Sequence, residues 1–224
     1  MFVILCFSYF VVLSCCPKSK RAMFEAGGMH ILGGHMSCDQ PRIIMNCMLT
    51  MRNMSDLASG IQDGENLCIQ LVQKLSHPDL VIVSCAAGIL ANLTANNERL
   101  KLVVCEADGV TSLVHLLGSV PLEHKDGRDT FESTLSVLKH LTNNHQGAEQ
   151  VQRIFVFNLD GLAILDRRLL PSTNRPGLKG ILQIVSNLCS RNPDNHEIIQ
   201  RQAIPDKILR ILEWSLSSLQ TVSK

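Results

Sequence analysis

Amide and basic side chains recur along this chain at a near-constant spacing. Arg52-Asn53-Met54-Ser55 is followed by Ala91-Asn92-Leu93-Thr94, Lys139-His140-Leu141-Thr142 and Ser186-Asn187-Leu188-Cys189. Counted from the second residue of each tetrapeptide, the steps are 39, 48 and 47 residues, and a degenerate copy, Val12-Leu13-Ser14, begins 41 residues before Asn53. These residue types offer recognition rather than bond-making. An Asn amide carries donors and an acceptor together, so it can pair with the main chain of an extended peptide. A row of Asn53, Asn92 and Asn187, with His140 in the same phase, would fix the register of such a peptide without reading its side chains. Arg52 and Asp56 stand one helical turn apart and share a face that Asn53 flanks, and Asn96 follows Asn92 by one turn. Each residue also has a plainer reading. An Asn near a helix C-terminus serves as a local cap, Arg52 and Asp56 suit each other as an ion pair, and His140 suits a core.

Patterns for catalysis and metal binding fail on spacing. Neither Gly-x-x-x-x-Gly-Lys nor Gly-x-Ser-x-Gly occurs. His30 and His35 are five apart, wrong for two metal ligands on one helix face. The expectation is a non-enzyme without a cofactor. The nine cysteines are odd in number and include no Cys-x-x-Cys pair. Most lie in apolar helical patterns and read as reduced, buried side chains of a cytosolic or nuclear protein. Asn53-Met54-Ser55 and Asn92-Leu93-Thr94 are formal glycosylation sequons that should stay bare in that setting.

The elements that position the row are helical throughout. A period of forty to fifty residues marks a stacked repeat array rather than one closed globule. Each unit reads as a polar helical stretch ending at Gly (18–28, 98–109, 149–161, and 194–203 without the Gly). A short apolar helix follows (29–35, 67–75, 110–117, 162–170, 204–212), then a longer one carrying the signature (41–57, 78–95, 130–143, 176–190). Val110, Leu113, Val114 and Leu117 show the i, i+3, i+4, i+7 pattern. Pro41 and Pro78 sit where helices should begin, with Asp39 or Gln40, and Ser76 or His77, as capping candidates. Gly27-Gly28, Gly109 and Gly161 should form the corner between the first two helices. Residues 119–129 and 171–175 read as long loops, which would account for the longer steps.

Composition agrees. The hydrophobic share is 46% with seven Phe, one Tyr and one Trp, so aliphatic residues must carry the core. A net charge of +1 gives no support to nucleic-acid binding through bulk charge. Residues 1–16 are apolar but lack both a preceding basic residue and a small-x-small cleavage site, and they are short for a membrane span. Residues 1–10 read as an extension or the start of a broken repeat, 11–214 as the repeat domain, and 215–224 as the end of a truncated repeat.

The Ala-Gly-Gly corner and the Leu-x-Asn-Leu-Ser/Thr closure resemble the armadillo repeat, and the match is closest to the β-catenin family. Met23 to Met29, Arg52 to Asp56, Cys85 to Thr94, His140-Leu141-Thr142, Asn195-His196 and Ala203-Ile204-Pro205 carry the resemblance. It runs from about Val11 to Leu212 and is weakest over 157–179. It implies an all-α, right-handed superhelical solenoid whose third helices line a concave groove. By the same resemblance Arg52, Lys101, Lys139, His140 and Lys179 match basic or imidazole positions of that groove, where acidic ligand residues are met. Implied ligands are extended acidic segments of cadherin-type tails, T-cell factor-type transcription factors, and axin- or adenomatous polyposis coli-type scaffolds. The chain would then be a monomer of cytoplasm, adherens junction and nucleus, acting in adhesion and Wnt-type signalling, without direct nucleic-acid contact or membrane insertion.

The chain departs from the family at Leu49, where an aromatic is usual, at Arg175 for a groove Trp, and at Ser186 for Arg. Lys139 in place of Arg loses bidentate carboxylate recognition. Two other readings compete. An importin-α-like adaptor would bind basic peptides through groove tryptophans, whereas the only Trp here is Trp214. A secreted or membrane-tethered helical protein would be directed by residues 1–16.

Overall fold

The computed structural model describes residues 2–61, 64–143, 145–170, 173–190, 192–201 and 203–222. Among them helices alternate with turns and no strand occurs. In chain order the helices are α1 (Phe2–Ser14), α2 (Pro17–Glu25), α3 (Gly28–Gly33), α4 (Pro41–Met54), α5 (Glu65–Lys74), α6 (Leu80–Thr94), α7 (Glu98–Glu106), α8 (Gly109–Ser119), α9 (Lys125–Leu141), α10 (Ala148–Arg153), α11 (Gly161–Arg168), α12 (Arg175–Ser190), α13 (Pro193–Arg201) and α14 (Ile204–Val222). A 3-10 helix, Ser55–Gly60, stands where the second unit would have its first helix, and a π-turn, Ile154–Asn158, continues α10.

The signature helices α1, α4, α6, α9 and α12 lie side by side, each packed on the next. α6 is central, between α4 and α9 with α5 beneath. Its residues from Ile82 to Leu90 are all buried, as are Leu93 and Thr94. A helix apolar on every side is stable only when covered on every side. The core continues through Met48, Met51 and Met54 of α4, Leu135, Leu138 and Leu141 of α9, and Ile181, Ile184 and Leu188 of α12. Buried hydroxyls remain satisfied because Thr50, Thr130 and Thr134 each donate to the carbonyl four residues earlier, at 2.6–2.7 Å.

The corner chemistry differs from expectation. The left-handed residue is Gly27 in the first unit (φ 78°), but Asp108 (φ 59°) and Asp160 (φ 49°) in the later ones. Asp tolerates that region better than most residues with a side chain. Gly109 and Gly161 are instead the first residues of their helices. They are small because a Cβ there would meet Val104 at 2.6 Å and Phe155 at 2.5 Å.

Helix starts also shift. α6 begins after Asp79, whose carboxylate accepts from Val81 N at 2.9 Å, so neither Ser76 nor His77 is the cap and Pro78 precedes the helix. Pro41 does occupy the first turn of α4, after Gln40, whose side chain makes no capping bond. α9 begins at Lys125, five residues before the expected start at Thr130. Arg128 Nη1 donates to the carbonyls of Leu122 (3.1 Å) and Glu123 (2.9 Å), folding the connection onto the first turn of α9. α14 runs ten residues past Leu212.

No single helix among the described residues is long and apolar enough to cross a membrane; α1 and α2 pass together by composition but meet at a 118° bend. All nine cysteines are free. Cys47, Cys68 and Cys85 are buried, and burial pushes their thiols up to about 12, 12 and 11. Cys15 and Cys16 depart from the buried reading: both are exposed, and hydrogen bonds from Ser19 hold the Cys16 thiol below its ordinary value.

Candidate functional site

The signature residues form a ladder between successive units. Asn53 Nδ2 donates to Ser14 Oγ at 2.9 Å, Asn92 Nδ2 to Ser55 Oγ at 2.8 Å, and Asn187 Nδ2 to Thr142 Oγ1 at 3.0 Å. His140 Nδ1 lies 3.0 Å from Thr94 Oγ1. The hydroxyls themselves donate to carbonyls three or four residues earlier: Ser14 to Val11, Ser55 to Arg52, Thr94 to Leu90 and Thr142 to Leu138. A hydroxyl has one proton, so each must accept from the next unit. His140 therefore carries its proton on Nδ1 and substitutes for Asn. Burial, with Lys139 and Lys101 nearby, lowers its pKa to about 4, which keeps the ring neutral.

The row thus braces the stack. The amide hydrogens of Asn187 go to Thr142 Oγ1 and the Lys139 carbonyl, its oxygen accepts from Gln183 at 3.3 Å, and the residue is 4% exposed. Asn53 Nδ2 reaches both Ser14 Oγ and, at 3.6 Å, Cys15 Sγ. Half-buried Asn92 makes one such contact, leaving an N–H and its oxygen for other partners.

Arg52 does not pair with Asp56. Its Nη1 crosses to the next signature helix and donates to the Ser84 carbonyl at 2.9 Å. Gly88 makes room: a Cβ there would stand 1.8 Å from Arg52 Nη1. Asp56, on the 3-10 helix, is bound instead by Lys20 Nζ at 2.6 Å.

One cleft of about 410 Å³ joins four signature helices. Arg52 of α4, Asn92 of α6, Lys139 of α9 and Lys179 of α12 line it, together with Glu132, Ser136 and Gln183. Among the described residues no carboxylate forms an ion pair with Arg52, Lys139 or Lys179. Four widely separated candidates therefore share one space. Glu132, Ser136 and Gln183 are not among the candidates named from sequence; Glu132, Ser136 and Lys139 follow i, i+4, i+7 and Gln183 follows Lys179 by four, so helical phase from the two lysines is the signal that marks them.

The remaining candidates lie elsewhere. Asn53, Asp56 and Asn187 are outside the cleft lining, and Asn96 is exposed in the turn after α6. Lys101, on α7, is 8% exposed and does not line the cleft. Burial lowers its pKa, and its charge opposes protonation of both His140 and His145. A larger recess, about 650 Å³, lies between α3 and α5 and is lined by apolar and polar residues alike.

No family model matches the chain. Its sequence relatives include junction plakoglobin of Xenopus laevis, 35% identical over 209 residues, which are 93% of this chain and 28% of the relative. The Armadillo segment polarity protein of Drosophila melanogaster is 36% identical over 201 residues, 90% of this chain and 23% of the relative. A solved structure from a study of the phosphorylation switch controlling the interaction between cadherin and β-catenin superposes with TM-score 0.77 at 28% identity, covering 86% of this chain and 35% of that one. The chain is an armadillo-repeat protein. Its homologues fall in the plakoglobin and Armadillo/β-catenin group. A designed armadillo repeat protein also superposes, with TM-score 0.69 at 14% identity over 88% of this chain and 80% of its own, a likeness of fold alone. The armadillo units here span about a quarter of the length of the curated relatives.

Proposed function

We propose that this chain is a non-enzymatic adaptor whose cleft holds an extended acidic segment. The observation that carries the reading is the convergence of Arg52, Lys139 and Lys179 on one cleft without carboxylate partners among the described residues. Cations left without counterions on a concave surface attract carboxylates and steer their approach. Asn92, with an unspent N–H and oxygen, adds a main-chain contact. His140 stays neutral and braces the stack, and the charge of Lys101 helps to keep it neutral. Asn53 and Asn187 brace neighbouring units, and Asp56 and Asn96 have no part in the cleft lining.

By likeness to the plakoglobin and Armadillo relatives, and to the structure concerned with cadherin and β-catenin, the partner is a cadherin-type cytoplasmic tail. T-cell factor-type and axin-type segments share the acidic, extended chemistry and belong to the same reading. So do placement at adherens junctions, in cytoplasm and in nucleus, and a part in Wnt-type signalling. The importin-like reading is disfavoured by the cleft itself, whose lining contains no aromatic residue and three cations.

The test is a fluorescence titration with one acidic and one basic extended peptide at low salt. The acidic peptide should bind more tightly, and Lys139→Glu should weaken it by about 1–3 kcal/mol with helicity unchanged. Preference for the basic peptide, or indifference to the Lys139 charge, would falsify the assignment.

A further inference from the structure

The same cleft contains one carboxylate. Glu132 stands on α9 two turns before Lys139, so the two leave one face about 10 Å apart along the helix axis, with Ser136 between them. Glu132 Oε1 accepts from Asn174 Nδ2 at 2.6 Å, while Asn174 Oδ1 accepts from Gly177 N at 3.0 Å at the start of α12. A neutral amide fixes the direction of a carboxylate but leaves its charge in place. Among the described residues no Lys or Arg forms an ion pair with Glu132. The cleft thus has two poles of opposite sign on one helix, each lacking a counterion. A segment acidic along its whole length gains at Lys139 and is repelled at Glu132. A segment with one cation at the right place gains at both.

We infer that Glu132 is a specificity-determining residue: the cleft selects an acidic segment that carries a Lys or Arg where it passes Glu132. This deepens the acidic-segment reading and rests on it. Opposed poles also fix register, because sliding the segment brings like charges together.

The experiment is fluorescence anisotropy on the full chain. The parent probe is a labelled peptide of alternating Asp and Ser, and a scanning set replaces one Asp at a time by Lys. One Lys position should bind about fivefold more tightly than the parent, the scale of a partly exposed ion pair. In Glu132→Gln, which keeps an acceptor for Asn174, that gain should vanish and the parent should bind about twofold more tightly, as loss of a half-exposed like charge dictates. A flat Lys scan, or a gain that survives Glu132→Gln, overturns the role of Glu132 while parent binding leaves the acidic-segment reading standing. Failure of the wild-type chain to bind the parent overturns both.

Discussion

His140 Nδ1 meets Thr94 Oγ1 at 3.0 Å in the place where Asn92 meets Ser55 and Asn187 meets Thr142. The Thr94 proton is already committed to the Leu90 carbonyl at 2.8 Å, so the imidazole has to donate. An imidazole and a carboxamide are interchangeable here because each presents one N–H to an accepting hydroxyl.

His140→Asn is therefore expected to keep the rung and His140→Ala to lose it. The alanine variant should cost about 1–3 kcal/mol in urea unfolding, for the lost bond and the cavity, and the asparagine variant less. The pH dependence has a definite sign. The folded pKa, about 4, is below the ordinary value of 6.5, so the unfolded chain binds this proton first. The contribution of neutral His140 is complete above about pH 6.5 and is lost as pH falls from there through about 4. Unfolding measured across that window should be flatter in His140→Asn; an unchanged slope would dismiss the buried neutral ring.

Lys101→Met should raise the His140 pKa, since it removes a cation that opposes protonation. His145 should move upward for the same reason. NMR titration of the ring protons reads both shifts. Two unmoved histidines would mean that Lys101 acts on neither.

Gly88→Ala is expected to displace Arg52 from the Ser84 carbonyl, because the new methyl falls on the guanidinium. The cost should be about 1–3 kcal/mol in stability, as for overpacking at a tight site. Arg52→Ala should relieve it, so the double variant should lose less than the sum of the singles. Strict additivity in the unfolding cycle would refute the contact.

Arg168 donates to the carbonyls of Leu117 (3.0 Å), Gly118 (2.7 Å) and Val120 (2.9 Å), closing the C-terminal end of α8. Arg168→Ala should destabilise by about 2 kcal/mol, and Arg168→Lys should recover little, because one ammonium cannot reproduce the planar fork. Full recovery by lysine in thermal unfolding would show that charge alone suffices.

The order of the helices was legible because hydrophobic period and repeat length are local properties. Helix starts were less so. Asp79 and Ser76 are both good caps in sequence, and Arg128 lengthens α9 through carbonyls that no pattern marks. The corners misled because Gly109 is required by its neighbour Val104 rather than by its own φ.

The site divided in the same way. Sequence by itself determined the repeat, the all-helical class and the phase of Arg52, Asn92, Lys139 and His140, because each follows from spacing along one helix. The tertiary structure decided which of these face one cleft, that Lys101 is buried outside its lining, and that Glu132 shares the space. It also decided that Asn53, Asn92 and Asn187 point their donors at the preceding unit. Spacing sets the direction of a side chain from its own helix, but only packing between helices sets what it meets.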